Sequence, residues 1–150
     1  MEARENTALQ YPTYQDMRIA QQTEFNNFPL FAAFNAKQFE EGMHGLGLAP
    51  NDINAIAGVG FGCFVRKADK DRLTEMQERH YTELKDSLRN PDFAKSAFLY
   101  ELSNHEYGYT GDISPALGAL GLSASDFEAN PILGKALAAA IKEYNKGQEE

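Results

Sequence analysis

DKDRLTEMQERHYTELKDSLRNPDFAKSAFLYELSNHEY, residues Asp69 to Tyr107, reads as two helices folded back on each other at Arg89-Asn90-Pro91. Leu73, Met76, Leu84 and Leu88 recur at helical spacing and give the first helix one apolar stripe, with His80 in the middle of it. On the second, Phe93, Ala94, Ala97, Phe98 and Tyr100 form the apolar arc, and the helical wheel places Glu101, Asn104 and His105 inside that arc. Lys95, Ser96, Ser103 and Glu106 take the opposite, wet side.

His80 stands ten residues before Asn90, and Glu101 eleven after it. At about 1.5 Å of rise per residue the two reach nearly equal heights in an antiparallel pair, and His105 lies one turn beyond Glu101 on the same face. A buried or half-buried cluster of His80, Glu101, Asn104 and His105 is therefore expected. It admits three readings. The four residues can hydrogen-bond one another and fix the register of the helices, since buried polar groups need partners. His80, Glu101 and His105 can instead hold zinc, manganese or iron, with Asp112 or Glu83 completing the shell. Without metal, His80 and Glu101 can form an acid-base dyad in which the carboxylate orients the imidazole.

The chain of 150 residues suits one domain, and 43% hydrophobic with 24% charged residues is ordinary globular composition. A balance of 22 acidic against 14 basic residues gives a net charge of -8, which disfavours a duplex-binding surface and favours cationic partners. No apolar run approaches the ~20 residues of a membrane span, and Met1 to Gln10 lacks the layout of a signal peptide, so a cytoplasmic protein is expected. The lone Cys63, between Gly62 and Phe64, reads as a small buried hydrophobe.

Upstream, Thr13 with Asp16 caps a helix whose face carries Tyr14, Met17, Gln21 and Phe25. Leu30 to Phe34 reads as a short buried strand, and Asn35 with Gln38 as a capping box for a helix carrying Phe39, Met43 and Leu46. In Ile56 to Arg66, Val59, Phe61, Cys63 and Val65 alternate with Gly58, Gly60 and Gly62. That is strand period with one face stripped of side chains, compatible with a hairpin turn or with close approach of a helix or ligand. Downstream, Ser114-Pro115 starts a brief helix, and Asn130-Pro131 starts a last one with a broad apolar face. Leu46-Gly-Leu-Ala-Pro-Asn-Asp-Ile and Leu120-Gly-Leu-Ser-Ala-Ser-Asp-Phe share one grammar of helix stop and helix start, which we read as a single capping solution used twice.

Phe39-Glu40-Glu41-Gly42-Met43 with Gly45 and Leu46, the Gly-rich strand running into Phe64-Val65-Arg66-Lys67, Glu78-Arg79-His80-Tyr81 with Glu83-Leu84, and Tyr100-Glu101 with Asn104-His105-Glu106-Tyr107 resemble a family. It is a family of small, functionally uncharacterised proteins encoded by phages and mobile elements of gut bacteria, and the resemblance covers roughly residues 28–112. It implies no activity; it implies a setting in which small acidic proteins bind and block host defence machinery.

The expected fold is a single α+β domain over residues 1–150, mostly helical, with a central antiparallel helical hairpin and a small Gly-rich β-hairpin or sheet. Residues 1–12 are expected to be a loose arm and 147–150 a frayed end. The expected function is that of a small acidic binding protein of a phage or mobile element, an inhibitor of a host nucleic-acid-handling defence complex. Its partner would be a protein with a basic nucleic-acid-binding surface, with no direct DNA binding, no membrane and no cofactor. Its expected binding residues are Glu101, Asn104, His105, Glu106, Tyr107 and Asp112. The alternative is a metal-dependent hydrolase using zinc, manganese or iron on His80, Glu101 and His105, with His80 and Glu101 catalytic.

Overall fold

The computed structural model describes residues 11–149, so the first ten residues of the expected arm and Glu150 lie outside it. Among the described residues there are eight α-helices and one three-stranded antiparallel sheet, the mostly helical α+β fold expected from the sequence. The elements are α1 (Tyr14–Asn26), β1 (Leu30–Ala32), α2 (Ala36–Gly45), β2 (Ile56–Gly60), β3 (Cys63–Arg66), α3 (Lys70–Ser87), α4 (Pro91–Asn104), α5 (Tyr107–Thr110), α6 (Ser114–Ala119), α7 (Ala124–Ala129) and α8 (Pro131–Glu149). No described helix is long and apolar enough to cross a membrane. The described residues fall into two compact units, 11–22 with 82–149 and 23–81, and the boundaries lie within α1 and α3.

The larger unit is organised on α4. Asn90 caps it by accepting from the Asp92 and Phe93 N–H groups, and Pro91 occupies its first turn, where no N–H is needed. α4 packs most extensively on α8 and next on α6. Their shared core holds Phe93, Ala97, Phe98, Leu102, Leu120, Leu133 and Ala140, with Tyr14 and Met17 of α1 and Leu88 from the end of α3. Alanines at 94, 97, 136 and 140 are buried on the facing helices, and their small side chains allow close packing.

In the smaller unit the strand order is β1-β3-β2. One sheet face carries Val65, which packs with Leu73 and Met76 of α3 and with Phe25, Phe28, Leu30 and Val59. Phe64 and Phe31 stack at 5.3 Å, and Phe39 of α2 meets both edge-on. The sequence left the role of the glycines open between turn and close approach, and both occur. Phe61 and Gly62 form the β2–β3 turn with φ of 55° and 75°, the double positive φ that matches the twist of a two-residue hairpin. The Phe64 ring lies over Gly58, directly across the ladder. On α2, a Cβ at Gly42 would overlap the Phe31 ring.

The repeated Leu-Gly-Leu grammar is one motif. Leu48 N–H donates to Met43 C=O at 2.8 Å and Gly47 N–H to His44 C=O at 2.9 Å; Leu122 donates to Leu117 and Gly121 to Gly118, both at 3.0 Å. Gly47 and Gly121 are left-handed in both, the geometry of a Schellman stop. Asp52 then accepts from Ala49 N–H and Asp126 from Ser123 N–H, so the restart is shared as well.

Because Phe31 occupies the space above Gly42, Gly42→Val should lower stability by about 1–3 kcal/mol through overpacking, whereas Gly45→Val, with open space around it, should cost less. Urea unfolding of the two variants checks this.

Candidate functional site

Glu101 falls on the buried face of α4 and is 2% exposed, among Phe93, Phe98 and Leu102. A carboxylate there requires donors. The Tyr14 hydroxyl donates to Oε2, Asn104 Nδ2 donates to Oε1 at 3.5 Å, and His105 Nε2 lies 3.3 Å from Oε1. The same contact pins the start of α1 to α4: Tyr14 N–H donates to Ser96 Oγ at 3.0 Å, and Ser96 Oγ donates to Phe93 C=O at 2.7 Å. The Tyr14 ring meets Phe93 and Tyr100 edge-on, and the Arg18 guanidinium lies 5.0 Å from the Tyr100 ring centre and 5.9 Å from that of Tyr14. Burial pushes the Tyr14 hydroxyl well above its ordinary pKa, and the hydrogen bond to Glu101 and the charge of Glu101 act in the same direction. His105, 33% exposed at its side chain, and the exposed Asn104 are the members of this cluster that solvent reaches.

An open cleft of about 580 Å³ runs beside the cluster between the start of α1 and α4, with Thr13, Gln15, Ser96, Tyr100 and Asn104 in its walls. These groups are neutral.

His80 belongs to the smaller unit, where its Nε2 lies 2.8 Å from Glu24 Oε1, and Arg79 pairs with the other Glu24 oxygen. The hydrogen bond from Arg79, followed by that from His80, holds the Glu24 carboxyl down at about 2. Glu83 is engaged by Gln21, whose Nε2 donates to it at 3.0 Å, and Asp112 accepts from Ser114 N–H, the first residue of α6, at 2.9 Å. Among the described residues no group of three or more His, Cys, Asp or Glu is placed to hold a metal ion. A phenol, an amide and one imidazole around a buried carboxylate satisfy the carboxylate; they do not make a metal shell.

Of the expected residues, the structure brings Glu101, Asn104 and His105 together and carries Glu106, Tyr107 and Asp112 into an exposed corner. Tyr14 was missed as a site residue, although a tyrosine on a buried helix face always raises the question of where its hydroxyl goes. At the corner, Glu106 adopts φ 58°, the left-handed region, and Gly111 closes α5 with φ 67°. Tyr107 is anchored edge-on against Tyr144 at 5.4 Å, whose hydroxyl also accepts from Gly108 N–H at 3.0 Å. That support leaves Glu106, Tyr109 and Asp112 facing solvent, with Tyr109 91% exposed.

Tyr14→Phe leaves Glu101 one donor short and should cost about 1–3 kcal/mol at neutral pH. Since the fold favours the protonated hydroxyl, wild-type stability should fall as pH rises through the ordinary tyrosine value of about 10, and Tyr14→Phe should weaken that dependence. Urea unfolding between neutral and alkaline pH measures both effects.

The chain matches a family of unknown function, DUF7659, over residues 13–143. No curated protein matches the chain. No solved structure matches it. The matched region takes in α1, the sheet, the Glu101 cluster and most of α8, and the chain belongs to the DUF7659 family.

Proposed function

We propose that this chain is a non-enzymatic protein-binding module whose larger unit engages a basic partner through the corner Glu106, Tyr109 and Asp112. The observation that carries the reading is the build of that corner. A strained, left-handed glutamate and a tyrosine 91% exposed are held on a half-buried tyrosine pair, with a second carboxylate three residues on. Exposed tyrosines are frequent binding hot spots, because a rigid ring gives contact area at little entropic cost. Non-glycine residues in the left-handed region cluster at functional sites.

Charge supports the same partner. Residues 1–22 and 82–150 hold 14 acidic against 8 basic residues, while residues 23–81 hold 8 against 6. Six of the eight net negative charges therefore belong to the segment that forms the corner. Such a surface steers toward cationic proteins and repels phosphate, so a basic nucleic-acid-binding surface is a fitting target and nucleic acid itself is not. Inhibition of a host defence complex by a cytoplasmic protein of a phage or mobile element extends this reading on charge and resemblance.

The test is affinity capture from nuclease-treated host lysate with tagged wild type, Tyr109→Ala and the double variant Glu106→Lys/Asp112→Lys. These are exposed positions, where substitution usually changes stability by no more than about 0.5 kcal/mol. The reading predicts a specific basic partner whose recovery falls about tenfold or more in both variants and declines with added salt. No specific partner, or equal recovery by all three proteins, would refute it.

A further inference from the structure

The smaller unit carries the other non-glycine residue with positive φ, Phe61, at the tip of the β2–β3 hairpin. It is 99% exposed. Beside it, Phe34 is 77% exposed, with its ring against Gly62, where a Cβ would overlap it. The segment is braced, since Ala33 N–H donates to Gly62 C=O at 2.9 Å and Phe34 N–H to Gln38 Oε1 at 2.7 Å. The tip thus holds two solvent-facing phenyl rings on a hydrogen-bonded frame, one of them at a backbone conformation that phenylalanine disfavours and glycine or asparagine accept. Neither stability nor solubility accounts for that choice.

The two segments that carry the rings are uncharged. No Asp, Glu, Lys or Arg occurs in Phe25 to Ala36 or in Ile53 to Val65, in a chain of which 24% is charged. We infer that the Phe61/Phe34 tip is a second interaction surface, distinct in chemistry from the acidic corner, which inserts into an uncharged apolar pocket of a partner protein. A neutral aromatic projection fits such a pocket and gains affinity from burial of the rings, with little dependence on salt. The net charge of -8 opposes approach to an anionic bilayer, which sets a protein pocket ahead of a membrane.

The test uses full-length protein expressed in its host with a benzophenone amino acid at position 61. The expected result is one discrete protein adduct whose cross-linked peptide is apolar and uncharged. With that protein purified, Phe61→Asn should weaken binding about tenfold or more, while Tyr109→Ala changes it less than about twofold. Asparagine tolerates the left-handed conformation, so the melting temperature of Phe61→Asn should equal or exceed that of wild type, which separates loss of binding from loss of fold. An adduct with lipid, with a second copy of this chain or with a charged surface overturns the inference. So does the absence of any discrete adduct, or an affinity unchanged by Phe61→Asn. The corner reading stands or falls separately on Tyr109→Ala.

Discussion

The bond from the Tyr14 hydroxyl to the Glu101 carboxylate is the constraint on which the larger unit rests. A carboxylate at 2% exposure within a core of phenylalanine and leucine is tolerable only if its oxygens are occupied, and Tyr14, Asn104 and His105 occupy them. Meeting that requirement fixes the geometry around it. It ties the first turn of α1 to the last turn of α4, with a second tie through Ser96 in mid-helix, and it orders His105 at the end of α4. His105 caps α4 and leads straight into left-handed Glu106, so the exposed corner starts from an anchored point. The cluster is better understood as the foundation of a surface than as a reaction centre.

The smaller unit solves a different problem, how a short three-stranded sheet with two glycines in β2 stays ordered. Its answer is to set phenylalanine rings where glycine has no side chain: Phe64 over Gly58, Phe31 over Gly42 and Phe34 against Gly62. Each ring shields backbone that glycine would otherwise leave open. Phe61 alone among the residues of the turn gains nothing of this kind, and its exposure in a disfavoured conformation is a departure from local consistency of the sort that marks function.

Much of this was legible in the sequence wherever the determinant is local. Asn90-Pro91 stops and restarts the helix, Asn35 with Gln38 opens α2, and Leu-Gly-Leu ends two helices with identical hydrogen bonds, because caps and turns depend on residues within one or two turns. The polar face of Glu101, Asn104 and His105 was legible for the same reason, being set by helical period. Their partners were not. Tyr14 lies 87 residues from Glu101, and Glu24 lies 56 from His80, and nothing local specifies either pairing. Periodicity told which face of α4 is buried but not that α8 would cover it.

The central claim is that Glu101 is retained to hold the fold. Guanidinium unfolding of Glu101→Ala at neutral pH tests it most directly, because that substitution strands the Tyr14 hydroxyl and the His105 ring and opens a small void among Phe93, Phe98 and Leu102. The account predicts a loss of about 2–4 kcal/mol relative to wild type, with the slope of the transition unchanged. Wild-type stability in Glu101→Ala would contradict it, and would mean that the buried carboxylate is kept for a chemical role and not for the architecture.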